Sequence, residues 1–217
     1  MMRLHAVSVG MPRIVAWKDW SITTGIFKHP VAGDVHVRRY NLAGDGQADR
    51  TVHGGADKAV YAYPLEHYTA WRTAMPDAEF TPSAFGENLT TEGLLEHEVE
   101  IGDRFRIGTA EFEAAQPRMP CYKLGIRFGR DDVVRRFVEM RAPGMYFRVS
   151  REGVLRAGCE ITLLERSGSG LSILDVFDLL LSRPIPPDQR ERVLRAKALP
   201  VSLREHLLGE GGAEEEE

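Results

Sequence analysis

The sequence predicts a mainly β fold: a β-barrel of many short strands with flanking helices, followed by a small C-terminal three-helix domain. Three observations carry this reading. Short stretches rich in β-branched and aromatic residues recur through residues 1–166, each bounded by Gly, Asp or Pro. Turn signals at Gly102-Asp103 and Gly108-Thr109 separate segments that alternate polar and apolar residues, as consecutive hairpin strands do. Composition then shifts at Ser167-Gly168-Ser169-Gly170, a flexible joint, after which every segment reads as helix. A closed barrel is favoured because closure removes the strand edges that would otherwise aggregate.

In chain order, Leu4–Val9, Val35–Arg39 and Lys58–Tyr63 are the first strands expected. Glu98–Ile101, Arg104–Ile107 and Glu111–Ala115 form a denser group, and Tyr146–Val149 and Glu160–Leu164 complete the set. A helix over Pro64–Ala74 would open with Pro at its first position, and one over Asp131–Met140 gathers Val133, Val134, Phe137 and Val138 on one face. Beyond the joint, Ser172 with Asp175 and Ser202 with Glu205 have capping-box spacing, and a middle helix spans Pro187–Leu199. The division expected is residues 1–166, 171–209, and an acidic, disordered tail over 210–217.

The 217 residues carry 28 basic and 32 acidic side chains, and five of the acids fall in the last eight positions, so the body is nearly neutral. A neutral body lacks the electrostatic footprint of a nucleic-acid binder, and residues 171–208 hold six bases against five acids, too balanced for a helix-turn-helix reader. No apolar run approaches the roughly 18 residues of a membrane span, and Met1–Pro12 reads as a first strand and not as a leader, so a cytoplasmic location without membrane association is expected. Two cysteines, Cys121 and Cys159, are too few for a disulfide framework, a Cys₄ zinc site or an iron–sulfur cluster of the chain's own.

Motifs for nucleotide binding are missing: there is no Walker A sequence and no Rossmann fingerprint. Three local clusters remain. Gln116-Pro117-Arg118-Met119-Pro120-Cys121-Tyr122-Lys123-Leu124 sets a cysteine between two cations, and residues 116–136 hold six basic against two acidic side chains. Such surroundings favour the thiolate, which attacks electrophiles and binds soft metals, although a small buried hydrophobe is an equally good reading of a free Cys. Cys159 has no such neighbours and reads as core. Around His53-Gly54-Gly55, paired glycines let backbone N–H groups converge between His53 and Lys58, which suits a phosphate or a plain tight turn. In Phe85-Gly86-Glu87-Asn88-Leu89 the Asn offers both donor and acceptor.

In this order the clusters resemble the MOSC domain family, most closely its YiiM-like subgroup. The matching text includes Gly44-Asp45-Gly46-Gln47-Ala48-Asp49, His53-Gly54-Gly55-Ala56-Asp57-Lys58-Ala59-Val60-Tyr61, and Tyr63-Pro64-Leu65-Glu66-His67-Tyr68. It continues through Phe85-Gly86-Glu87-Asn88-Leu89, Gly102-Asp103 and the segment around Cys121, so the likeness spans most of residues 1–165. The resemblance implies a MOSC-type β-barrel in which Cys121 ligates the molybdenum of a pterin cofactor (molybdopterin). It implies His53, Gly54, Gly55, Lys58, Asn88, Arg118 and Lys123 as the cofactor-binding set. It further implies reduction of N-hydroxylated bases and amidoximes, of the 6-N-hydroxylaminopurine detoxification type, with electrons from a separate flavin or iron–sulfur protein. A molybdenum-cofactor or sulfur carrier that bears a Cys121 persulfide is the alternative.

Overall fold

The computed structural model of the protein describes residues 1–48, 54–182 and 184–209. His53 and the tail 210–217 lie outside the described residues. The chain runs through β1 (Arg3–Val9), β2 (Arg13–Trp17), β3 (Trp20–Thr24), β4 (His29–Pro30), β5 (Val35–Arg38), β6 (Asn41–Leu42), a 3₁₀ turn (Ala56–Lys58), β7 (Val60–Pro64) and α1 (His67–Ala74). Next come β8 (Leu89–Glu92), β9 (Arg104–Ile107), β10 (Ala110–Pro117), α2 (Lys123–Phe128), α3 (Val133–Met140), β11 (Met145–Arg151), β12 (Gly153–Leu155) and β13 (Ile161–Glu165). Three helices end it: α4 (Ile173–Leu181), α5 (Pro187–Arg195) and α6 (Val201–Leu208).

The fold is mainly β with helices, as expected. Eight strands pair in the order β13-β9-β10-β11-β7-β8-β1-β4, all antiparallel except β7 with β8. Among the described residues no continuous ladder closes this sheet into the expected barrel; β13 and β4 are its ends. The β13 side is drawn to β1 by one bridge, Arg3 to Glu160, and by backbone bonds from Leu4 N to Cys159 O (2.9 Å) and from Gly158 N to Leu4 O (2.7 Å). Alternation decides which side chains turn inward: Phe105, Phe112 and Phe147 come from three neighbouring strands and meet edge to face with centroids 5.9 Å apart. A second core is aromatic and lies under α1 and α3, where Phe85 packs at 4.5 Å from Tyr63 and 5.0 Å from Trp71.

Several boundaries differ from the sequence expectation. Glu98–Ile101 forms no strand ladder; Val99 and Ile101 are buried because the segment bonds to residues 171–173, through Ile101 N to Leu171 O and Ile173 N to Val99 O (2.9 Å each). Pro64 closes β7 instead of opening α1. Ser172 and Asp175 form the expected capping box, whereas Ser202 sits inside α6, which starts after Pro200 without a side-chain cap. Leu171, Val176, Val193, Leu199 and Leu208 from the C-terminal segment belong to the same apolar cluster as Leu4, Phe105 and Phe147 of the sheet.

Candidate functional site

Pro117 ends β10 and α2 begins at Lys123, so the five residues Arg118–Tyr122 form a short connection at the end of that strand. Within that connection Arg118 turns inward. The residue is 7% exposed, and its guanidinium donates through Nη1 to Phe85 O and lies 4.8 Å over the Tyr61 ring and 5.9 Å from that of Phe137. Cys121 is half-buried, immediately before α2.

The loop Ser83–Asn88 forms the facing wall, and Glu87 holds it in shape. This fully buried carboxylate accepts from Ser83 N (2.8 Å), Phe85 N (3.0 Å), Thr90 Oγ1 (3.1 Å) and the Tyr68 hydroxyl. Burial pushes its carboxyl above the usual range against the opposing pull of those hydrogen bonds. Gly86 has φ +77°, and a Cβ there would lie 2.8 Å from Ile26 Cγ1, so this position needs glycine both for conformation and for space.

Lys28, Asp45, Lys58, Asn88, Arg118, Cys121 and Lys123 line one cavity, together with Tyr61, Gly86, Met119 and Tyr146. The structure thus brings five of the eight expected site residues together. Gly54 and Gly55 flank the cavity without lining it. Gly55, at φ +88°, starts the 3₁₀ turn that delivers Lys58 to the wall. Burial pushes the Lys58 ammonium down, opposed by Asp57 and Cys121. Lys123 is half-buried.

The Asn88 amide, expected in the cofactor-binding set, lines the cavity but is engaged within the protein. Nδ2 donates to Asp45 Oδ2 (2.9 Å) and Ser8 O (3.3 Å), and Oδ1 accepts from Tyr61 N (3.2 Å). Both amide hydrogens are therefore spent inside the protein, and Asn88 is a strut between β1, β7 and Asp45. Asp45 in turn takes Gly10 N (3.0 Å) and the ammonium of Lys28 on Oδ1.

Lys28, Tyr61 and Tyr146 are site residues that sequence reasoning missed. Nothing near Lys28 in the chain marks it, whereas Asp45 stood in a Gly-Asp-Gly turn that could have been followed further. Cys159 is half-buried against the sheet core, as expected.

The cavity is cationic. Lys28, Lys58, Arg118 and Lys123 face it with Asp45 as the lone acid among its described lining residues. No group of three or more His, Cys, Asp or Glu among the described residues could hold a metal. A metal at Cys121 would therefore gain one soft thiolate from the described residues, and a group bringing its own ligands and negative charge suits the site.

Among the described residues no helix is long and apolar enough to cross a membrane. The sequence model of the MOSC domain matches residues 49–162. The chain is 42% identical to the uncharacterized protein YflK of Bacillus subtilis over 77% of its own length and 76% of that protein. It is 37% identical to YiiM of Escherichia coli, over 91% and 88% of the two chains. A Gibberella moniliformis protein named "Reductase" is 33% identical over 76% of this chain but only 30% of that protein. The crystal structure of YiiM from Geobacillus stearothermophilus superimposes with a TM-score of 0.81 at 32% identity, covering 97% of this chain and 99% of that one.

Proposed function

Because the chain belongs to the MOSC domain family and has YiiM proteins among its homologues, we propose that it binds a molybdenum–pterin cofactor and reduces N-hydroxylated bases or related N-hydroxyl compounds. The observation that carries this reading is the placement of Cys121 in a cavity whose other charged groups, among the described lining residues, are four cations and one ion-paired acid. Those donors fit the group. A thiolate is the soft ligand molybdenum takes, and buried or half-buried ammonium and guanidinium groups suit a pterin phosphate. The relative named "Reductase" favours redox chemistry over cargo transport.

In this reading Cys121 holds the metal, and Lys58, Lys123 and Arg118 hold the phosphate. The cofactor, when bound, supplies a centre that gains and gives up two electrons. The protein's own part is orientation and charge. Arg118 stays ionised because it rests on the Tyr61 ring and on Phe85 O, so its charge persists although the residue itself is buried. Asn88 and Asp45 fix the opposite wall. Electrons must come from a separate flavin or iron–sulfur protein, since two cysteines cannot build a cluster.

The test is turnover of 6-N-hydroxylaminopurine by protein made in a cofactor-competent host. With substrate alone it stays silent, and with a reductant or a reductase partner it forms the amine. Cys121→Ser abolishes turnover and Cys159→Ser does not. Loaded protein that is inert toward N-hydroxyl compounds with every donor, yet takes cyanide-labile sulfur from a desulfurase, would transfer the assignment to a sulfur carrier.

A further inference from the structure

We propose that Lys28, held by Asp45 on the inner wall of the cavity, donates the proton that lets the hydroxyl group of an N-hydroxyl substrate leave as water. The inference rests on the reductase reading above and adds a catalytic residue to it. Reduction of R–NHOH to R–NH₂ breaks the N–O bond and consumes two electrons and two protons. The cofactor, when bound, would supply the two electrons, which an external flavin or iron–sulfur donor would replace. Hydroxide is a poor leaving group, so one proton must reach the departing oxygen as the bond breaks; the second, on nitrogen, can come from solvent.

The cavity offers few groups for this task. Arg118 does not deprotonate. The Tyr61 hydroxyl donates to Pro143 O (2.8 Å), and burial pushes the Tyr146 hydroxyl up, away from neutral pH. Cys121 is committed as ligand in that reading, and Lys58, whose ammonium the Asp57 and Cys121 charges favour, is among the groups assigned to the phosphate. Lys123 is half-buried and next to the Cys121 loop.

Lys28 differs from all of these. It is 8% exposed, its ammonium contacts Asp45 Oδ1, and no other hydrogen bond from it is found among the described residues, which leaves donors for a ligand in the cavity it lines. Its backbone is pinned by Ser83 Oγ donating to Lys28 O (2.7 Å). Asp45 is pinned by Gly10 N and Asn88 Nδ2, so the pair is preorganised and Asp45 and Asn88 are positioning residues. Burial pushes the Lys28 ammonium below the ordinary lysine value, and Arg118 adds to this while Asp45 and Glu87 oppose it, so the proton is easier to release than from a surface lysine. After transfer, Lys28 regains its proton from solvent.

The experiment compares loaded wild type with Lys28→Met, with Asp45→Asn, and with the double variant, which removes both buried charges together and so leaves no uncompensated one. Molybdenum and pterin contents, KM, kcat and the pH profile of kcat are measured. The proposal expects cofactor contents equal to wild type, KM within a few-fold, and kcat lowered about 100-fold in both variants lacking Lys28. In wild type kcat falls on the alkaline side. That limb is lost in Lys28→Met and moves to lower pH in Asp45→Asn, because the carboxylate that favours the ammonium is gone. Unchanged kcat in active, loaded Lys28 variants would overturn the proposal while leaving the reductase reading intact. Loss of cofactor from Lys28→Met would overturn it in favour of an anchoring role. A loaded wild type inert toward N-hydroxyl compounds would overturn both.

Discussion

Replacing Asn88 by Leu, a side chain of similar size, tests whether this residue is a strut or a cofactor ligand. The substitution deletes the bond to the Asp45 carboxylate (2.9 Å), the bond to Ser8 O (3.3 Å) and the acceptor of Tyr61 N (3.2 Å), all buried. A hydrogen bond to a charged group contributes about 1.5–3 kcal/mol and each neutral one about 1 kcal/mol, so the loss sums to about 3–5 kcal/mol. For a chain of this size each kcal/mol shifts Tm by about 2–4 °C, which puts the variant roughly 10 °C below wild type. The assay is thermal unfolding of cofactor-free protein, so no ligand contributes. A Tm within about 2 °C of wild type would refute the strut, and an intact Tm with lost cofactor affinity would return Asn88 to the ligand set.

Lys123→Ala changes the Tm of cofactor-free protein by less than about 1 °C, since the side chain is half-buried and makes no hydrogen bond found among the described residues; cofactor affinity measured by retention on dialysis falls about 10-fold or more. Glu87→Gln gains on wild type as pH rises. Burial lifts the folded carboxyl above 4.5, so wild type loses stability as pH climbs through that raised value while the amide does not, and parallel chemical denaturation at pH 5 and pH 8 measures the divergence. A chain ending at Ser169 loses Leu171, Val176, Val193, Leu199 and Leu208 from the cluster that also holds Phe105 and Phe147, and is expected to bind a hydrophobic dye and unfold without a sharp transition.

What the sequence made legible was local. The Cys121 segment announces itself because its charges, prolines and thiol lie within nine consecutive residues, and the capping box at Ser172 is a three-residue rule. What it hid depends on neighbours distant in the chain or on composition that misleads. Lys28 and Asp45 meet across 17 positions, and neither has meaning without the other. β8 reads Leu-Thr-Thr-Glu, a polar run, yet Thr90 and Thr91 are fully buried because β7 and β1 flank the strand. The β2–β3 hairpin turns at Lys18, with φ 54°, where no Gly or Asn signals a left-handed residue. α2 follows Cys121 after one residue and is too short to show a helical period.

If Cys121 binds the metal, the molybdenum-to-protein ratio depends on its thiolate. Wild type and Cys121→Ser, made in the same cofactor-competent host and purified in parallel, are compared by elemental analysis after extensive dialysis, with thermal unfolding to show that both are folded. A near-stoichiometric ratio in wild type and a ratio near zero in the variant is the predicted result. Equal molybdenum in the two proteins would contradict it.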